Sequence, residues 1–218
     1  MRFNSINIYS AQRSCTDETR KITGLLRCDS AHIVDMYTRL FKYYSNAHCK
    51  SLNIAADENT SEWVLEPICD GFPILHMPFK LHLYSQLTDI QKSEYWLEAL
   101  HNAIGYVGNL WGWELSHFEN IPQQIREANF CNRWRYGKYS PSPSGYFKAS
   151  LWVEQNLHST KIYLIIYKGR QKFGQYFIQE TDPPDYAYGH WLGPIQWHDN
   201  RHLTIIGYTH SMDLTINE

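Results

Sequence analysis

Apolar positions recur with period two in several short stretches and with period three to four in two longer ones. Residues 3–9 predict a first strand, with Phe3, Ile6 and Ile8 apolar. A polar stretch to Lys21 predicts a loop. A helix capped by Asp29 or Ser30 then runs to about Ala47, with Ile33, Met36, Tyr37, Leu40, Phe41 and Tyr44 on one face. Residues 51–56 predict a short strand and 57–60 a turn. From Leu75 to Leu83 every odd position is apolar and the even ones are His76, Pro78, Lys80 and His82, which predicts one strand with a single buried face. Pro78 cannot donate to a ladder and puts that strand at an edge or a bulge.

Thr88 and Gln91 form a capping-box pattern ahead of the strongest helical stripe, Trp96, Leu97, Leu100, Ala103, Ile104 and Val107. Gly112 is placed to end that helix. A second short helix follows Pro122. The last third is strand-rich: 146–154 alternates, 161–168 is apolar on both faces and therefore central, and 169–171 turns it into 172–180. Residues 192–198 and 202–208 predict another hairpin. The pattern predicts an α+β fold, a mostly antiparallel sheet with two principal helices packed on one face. We expect one domain over 1–218, with Ser140-Pro141-Ser142-Pro143-Ser144-Gly145 as the place where a division into 1–139 and 146–218 would fall.

Composition agrees with a packed core. The 218 residues are 43% hydrophobic, 15% aromatic and only 19% charged, which excludes a disordered chain. A chain this long buries roughly 70% of its unfolded surface and folds without staples. The start of the chain has no apolar segment of signal-peptide type, and no apolar run reaches membrane-spanning length. Five cysteines, widely spaced and without a Cys-x-x-Cys pair, predict free thiols in a reducing cytoplasm.

Net charge is −2, but its layout is uneven. Residues 57–98 carry eight acids and two bases, 131–172 eight bases and one acid, and 173–218 six acids and one base. An acidic and a basic surface suit different partners, although each is also what a solvated face looks like. No Walker loop, dinucleotide fingerprint or nucleophile elbow occurs, so no catalytic residue and no cofactor is expected. The cluster Asp57, Glu58, Glu62, Glu66 and Asp70 surrounds Trp63, which suits docking onto a basic protein surface. The loop Asp182, Asp185 and Tyr186 is a second candidate.

Two other chemistries are weighed beside this one. Arg133-Trp134-Arg135-Tyr136-Gly137-Lys138-Tyr139, extended by Tyr146 and Lys148, interleaves cations and aromatics as single-strand nucleic-acid binders do. The same segment also reads as a strand packed through Trp134 and Tyr136. His76, His82 and Lys80 on one strand face suggest a histidine-dependent nuclease, but six positions of strand separate the histidines by about 20 Å. His198 and His202 lie on one face or on opposite faces depending on the turn between them, and two imidazoles alone make a weak metal site. We expect a binding module with no bound metal.

The segments Glu94-Tyr95-Trp96-Leu97-Glu98-Ala99-Leu100-His101, Trp134 to Lys138, and His190-Trp191-Leu192-Gly193-Pro194-Ile195-Gln196-Trp197 resemble immunity proteins of bacterial polymorphic-toxin systems, including those of contact-dependent growth inhibition. The likeness lies within residues 88–208 and assigns no individual residue a role. It implies a cytosolic inhibitor of a cognate toxin domain. Many such toxins are nucleases with basic clefts, which an acidic surface, first of all the 57–70 cluster, would occlude.

Overall fold

A computed structural model describes residues 1–11, 16–41, 44–66 and 71–216. The chain divides into two compact units, Met1–Phe130 and Cys131–Glu218. The fold is mixed α+β with a strand-rich C-terminal part. The Pro/Ser-rich 140–145 segment lies inside the second unit, where it links two adjacent strands.

The first unit contains β1 (Ser5–Ser10), α1 (Asp17–Leu40), β2 (Ser51–Asp57), β3 (Val64–Leu65), β4 (Ile74–Pro78), α2 (Leu81–Tyr84), α3 (Asp89–Trp111), a 3-10 turn at Leu115–His117 and α4 (Ile121–Glu127). Its sheet has the order β1-β2-β4-β3. β2 pairs in parallel with both β1 and β4, while β3 is antiparallel to β4. Register puts Ile6, Ile8, Leu52, Ile54, Leu75 and Met77 on one face, where α1 and α3 bury them in a single core. The other face is polar: the Ser5 hydroxyl donates to Ser51 at 2.9 Å, and Asn7 Nδ2 donates to Asn53 Oδ1 at 3.0 Å.

α1 begins far earlier than the sequence pattern predicts. Thr16 caps it by accepting the Thr19 amide at 3.2 Å, and Asp17 and Glu18 sit favourably at the positive end of the helix dipole. Asp29 and Ser30, cap-like residues, lie buried in mid-helix instead. Ser30 Oγ donates back to the Leu26 carbonyl at 2.7 Å. Asp29 accepts the Tyr84 hydroxyl at 2.7 Å and pairs with Lys92 Nζ at 3.2 Å. Tertiary partners thus absorb the Asp29 carboxylate, and the Ser30 hydroxyl is satisfied within its own helix. The helix ends at Leu40, short of the expected Ala47.

The expected 73–83 strand is divided. β4 stops at Pro78, and Lys80 precedes the one-turn helix α2. β4 is also interior to its sheet, and Pro78, with no amide to donate, is its last residue. Beyond the break, on α2, Tyr84 is buried, and its hydroxyl donates to Asp29 and accepts Trp96 Nε1–H at 2.9 Å. Leu83, assigned to the core by alternation, is 56% exposed. α3 matches its prediction: the Thr88/Gln91 capping box is formed and Gly112 ends the helix at φ 65°.

The second unit contains β5 (Asn132–Pro141), β6 (Phe147–Gln155), β7 (Thr160–Lys168), β8 (Gln171–Thr181), α5 (Asp185–Tyr188), a 3-10 turn at Gly189–Trp191, β9 (Ile195–Trp197), β10 (His202–Ile206) and β11 (Ser211–Thr215). β5 to β8 form an antiparallel meander with β7 interior, and β9 to β11 a second antiparallel sheet of order β11-β10-β9. Phe147, Leu151, Val153, Ile162, Leu164 and Ile166 share a core with Leu203 and Ile205. Gly193 is required where two backbones meet: a Cβ there would lie 1.8 Å from the Ile206 carbonyl oxygen.

Candidate functional site

The polar face of the first sheet ends in an acidic edge built from β2, β3 and β4. Parallel pairing brings Asp57, last in β2, beside the end of β4, and antiparallel pairing lays Val64 opposite His76. Two residues beyond Val64, Glu66 shares its side of the strand. His76 therefore lies between two carboxylates. Its Nδ1 is 3.0 Å from Asp57 Oδ2 and its Nε2 is 2.9 Å from Glu66 Oε1. The Asn59 amide at 2.9 Å, with His76 after it, holds the Asp57 carboxyl below the usual carboxylate range, against the opposing effect of partial burial.

Glu58 is anchored as well: Leu81 donates its amide to Oε1 at 3.0 Å, and Lys80 Nζ donates to the Glu58 carbonyl. Glu62 follows in a turn stabilised by Thr60 and is exposed. Trp63 is half-buried, its ring stacked 6.3 Å from Tyr106, whose hydroxyl donates to the Trp63 carbonyl at 3.2 Å. Five of the six residues of the expected acidic cluster thus share one sheet edge, and Asp70 lies outside the described residues.

The sequence reading missed His76 as the residue that ties this cluster together. The signal was present: β-alternation puts His76 on the polar face, and acidic residues flank β2 and β3. Only the parallel pairing, which is not written in any local pattern, makes them neighbours. His82, expected on the same strand face as His76, is instead exposed on α2. With both ring nitrogens of His76 bonded to carboxylates and Lys80 bonded to Glu58, that nuclease assembly is not formed.

Asp182, Asp185 and Tyr186 belong to the second unit. Asp182 and Asp185 are exposed at either side of buried Pro183 and Pro184, and Tyr186 is 52% exposed on α5. The loop is pinned through the Pro183 carbonyl, which accepts from Gln155 Nε2 at 2.6 Å and from Thr160 Oγ1 at 3.2 Å.

His198 and His202 flank the loop Asp199-Asn200-Arg201 and pair across it, with the His198 amide donating to the His202 carbonyl at 2.9 Å. Their rings contact Thr204 and Asp199 respectively. Among the described residues no three His, Cys, Asp or Glu side chains gather in a metal-holding group.

A cleft of about 530 Å³ opens between α3 and α4, lined in part by Glu98, His101, Asn102, Gln123 and Arg126. Arg126 is fixed by Glu94. His101 Nδ1 contacts the buried Tyr37 hydroxyl at 3.0 Å. Desolvation, with Arg126 adding to it, lowers the His101 pKa below its ordinary value.

No family model matches this chain, and neither a curated protein nor a solved structure does. No helix among the described residues is long and apolar enough to cross a membrane.

Proposed function

We propose that this chain is a binding module that neutralises a cognate bacterial toxin domain, a nuclease with a basic cleft, by laying the acidic edge of β2, β3 and β4 over that cleft in the cytoplasm. The observation that carries this reading is the anchoring of Asp57, Glu58 and Glu66 by His76 and backbone amides around the stacked Trp63. Carboxylates already fixed in place lose little side-chain entropy on binding, and a half-buried tryptophan beside them supplies an apolar anchor. Their combined field steers a basic partner toward the edge. His76 serves here to hold two carboxylates, not to move protons.

The anchoring also says which residue to change. Glu58 and Glu66 carry structural bonds, so reversing them disturbs the edge itself. Glu62 is exposed and gives the cleaner test. The protein should inhibit the nuclease domain encoded next to its own gene, and Glu62→Lys should slow association by about tenfold at low salt with less effect at high salt. Association that is unchanged in Glu62→Lys, at every salt concentration, rejects this edge as the interface.

A further inference from the structure

We propose that the second unit binds single-stranded nucleic acid on the outer face of its β5–β8 sheet. The proposal concerns a different unit and different residues from the acidic edge and is independent of it.

The sequence segment 131–148 shows only one strand of this face. Cross-strand register supplies the rest. Arg135 on β5 stands opposite Trp152 on β6, which stands opposite Tyr163 on β7, which stands opposite Phe177 on β8. This row runs the full width of the sheet, one cation followed by three aromatics, and contains no acid. Two rows along, Lys148 on β6 faces Tyr167 on β7, and Tyr167 faces Lys172 on β8, again without an acid. Alternation places both rows on the face opposite the core residues Val153, Ile162 and Leu164.

The row between them is floored by Ser150 and Ile165, at 0% and 3% exposure, and the Trp152 indole donates to the Ser150 hydroxyl at 3.1 Å. The Trp152 ring therefore lies over Ser150, while Tyr163 and Phe177 meet edge-on at 69° with their centroids 6.0 Å apart. Tyr139 joins them, edge-on to Tyr167 at 5.5 Å, with the Arg135 guanidinium 4.2 Å from its ring centroid. Phe177 is 57% exposed and Tyr139 43%.

Phe177 and Tyr139 thus offer exposed ring surface beside the cations, and the cations narrow the occupant. The neighbouring row Arg133-Glu154-Lys161-Glu180 pairs its own charges, which leaves Arg135, Lys148 and Lys172 as the cations beside the rings; they call for an anionic chain, and the exposed aromatic surface calls for flat, unpaired partners. Unpaired bases on a phosphate chain satisfy both requirements. A duplex hides its base faces, and an acidic polypeptide offers nothing to stack.

The test uses the whole protein and a fluorescein-labelled oligo(dT) of about 15 nucleotides, within the site size one such domain covers, read by anisotropy. With roughly three phosphate contacts, the logarithm of the affinity should fall with the logarithm of salt at a slope of about −2. Arg135→Ala with Lys148→Ala should flatten that slope by about 1.4. Phe177→Ala should weaken binding about tenfold and leave the slope unchanged, and its exposed side chain can be removed without opening the core. A duplex of the same length and poly-glutamate should each compete poorly. The proposal is overturned by an absence of binding at low salt. It is equally overturned by competition from poly-glutamate or duplex on a par with oligo(dT), or by a Phe177→Ala protein that binds as the parent does.

Discussion

Removing one oxygen atom, in Tyr84→Phe, tests why α1 begins well before Asp29. The Tyr84 hydroxyl donates to the Asp29 carboxylate at 2.7 Å and accepts Trp96 Nε1–H at 2.9 Å, and Trp96 is fully buried. A hydrogen bond to a charged group contributes about 1.5–3 kcal/mol, and a buried donor left without its partner costs about 1–3 kcal/mol. Phenylalanine keeps the ring packing against Phe79 and Trp96 at centroid distances of 5.5 Å, so the cavity contribution is small. Asp29 retains Lys92 at 3.2 Å, which limits the loss. The expected destabilisation is about 3 kcal/mol. Urea denaturation followed by far-ultraviolet circular dichroism measures it. Ser30→Ala, which removes only a bond back to its own helix, should cost about 1 kcal/mol or less. If Tyr84→Phe costs no more than Ser30→Ala, the hydroxyl is not what holds Asp29 inside α1, and the explanation for the early helix start fails.

Further outcomes follow from other groups. His101, with its pKa lowered, binds its proton less readily folded than unfolded. Its contribution to stability is therefore full above the unfolded value near 6.5 and declines as pH falls below it, and His101→Gln should flatten the fall in Tm between about pH 7 and 5. Burial pushes the Cys49 thiol up to about 12, so native protein should leave Cys49 unalkylated by iodoacetamide at pH 8, with modification appearing on unfolding; rapid labelling in the native state would contradict the packing. Gly193→Ala should destabilise by about 2 kcal/mol or more because the clash is with backbone. Gly105→Ala, in α3 with open space at its Cβ, should be neutral or stabilising by up to about 1 kcal/mol; thermal melts of the two variants check both statements.

Elements whose cues are local were legible in the sequence. The capping box and Gly112 bound α3, and period-two alternation located β6 and the β9–β10 hairpin. The acidic edge was legible as a cluster of residue types, because Asp57 to Glu66 are close in sequence. Its organising histidine was not, since His76 meets Asp57 only through a parallel pairing that nothing local encodes. The outer face of the second sheet shows the same limit. Arg135 and Tyr139 are visible in one segment, but Trp152, Tyr163 and Phe177 reach the same row from three other strands, and register alone decides that.

The sequence by itself determined the α+β class, the strand-rich C-terminal part, the free state of Cys28, Cys49 and Cys131, and the uneven charge, because composition, spacing and periodicity are sums of local preferences. Tertiary structure decided where α1 begins, why the 73–83 alternation breaks at Pro78, and which charged and aromatic groups share a surface. At Asp29 a long-range partner, the buried Tyr84 hydroxyl, outweighed a local capping preference of about 1 kcal/mol; at His76 and Arg135 local alternation set the face and only strand pairing chose the neighbours.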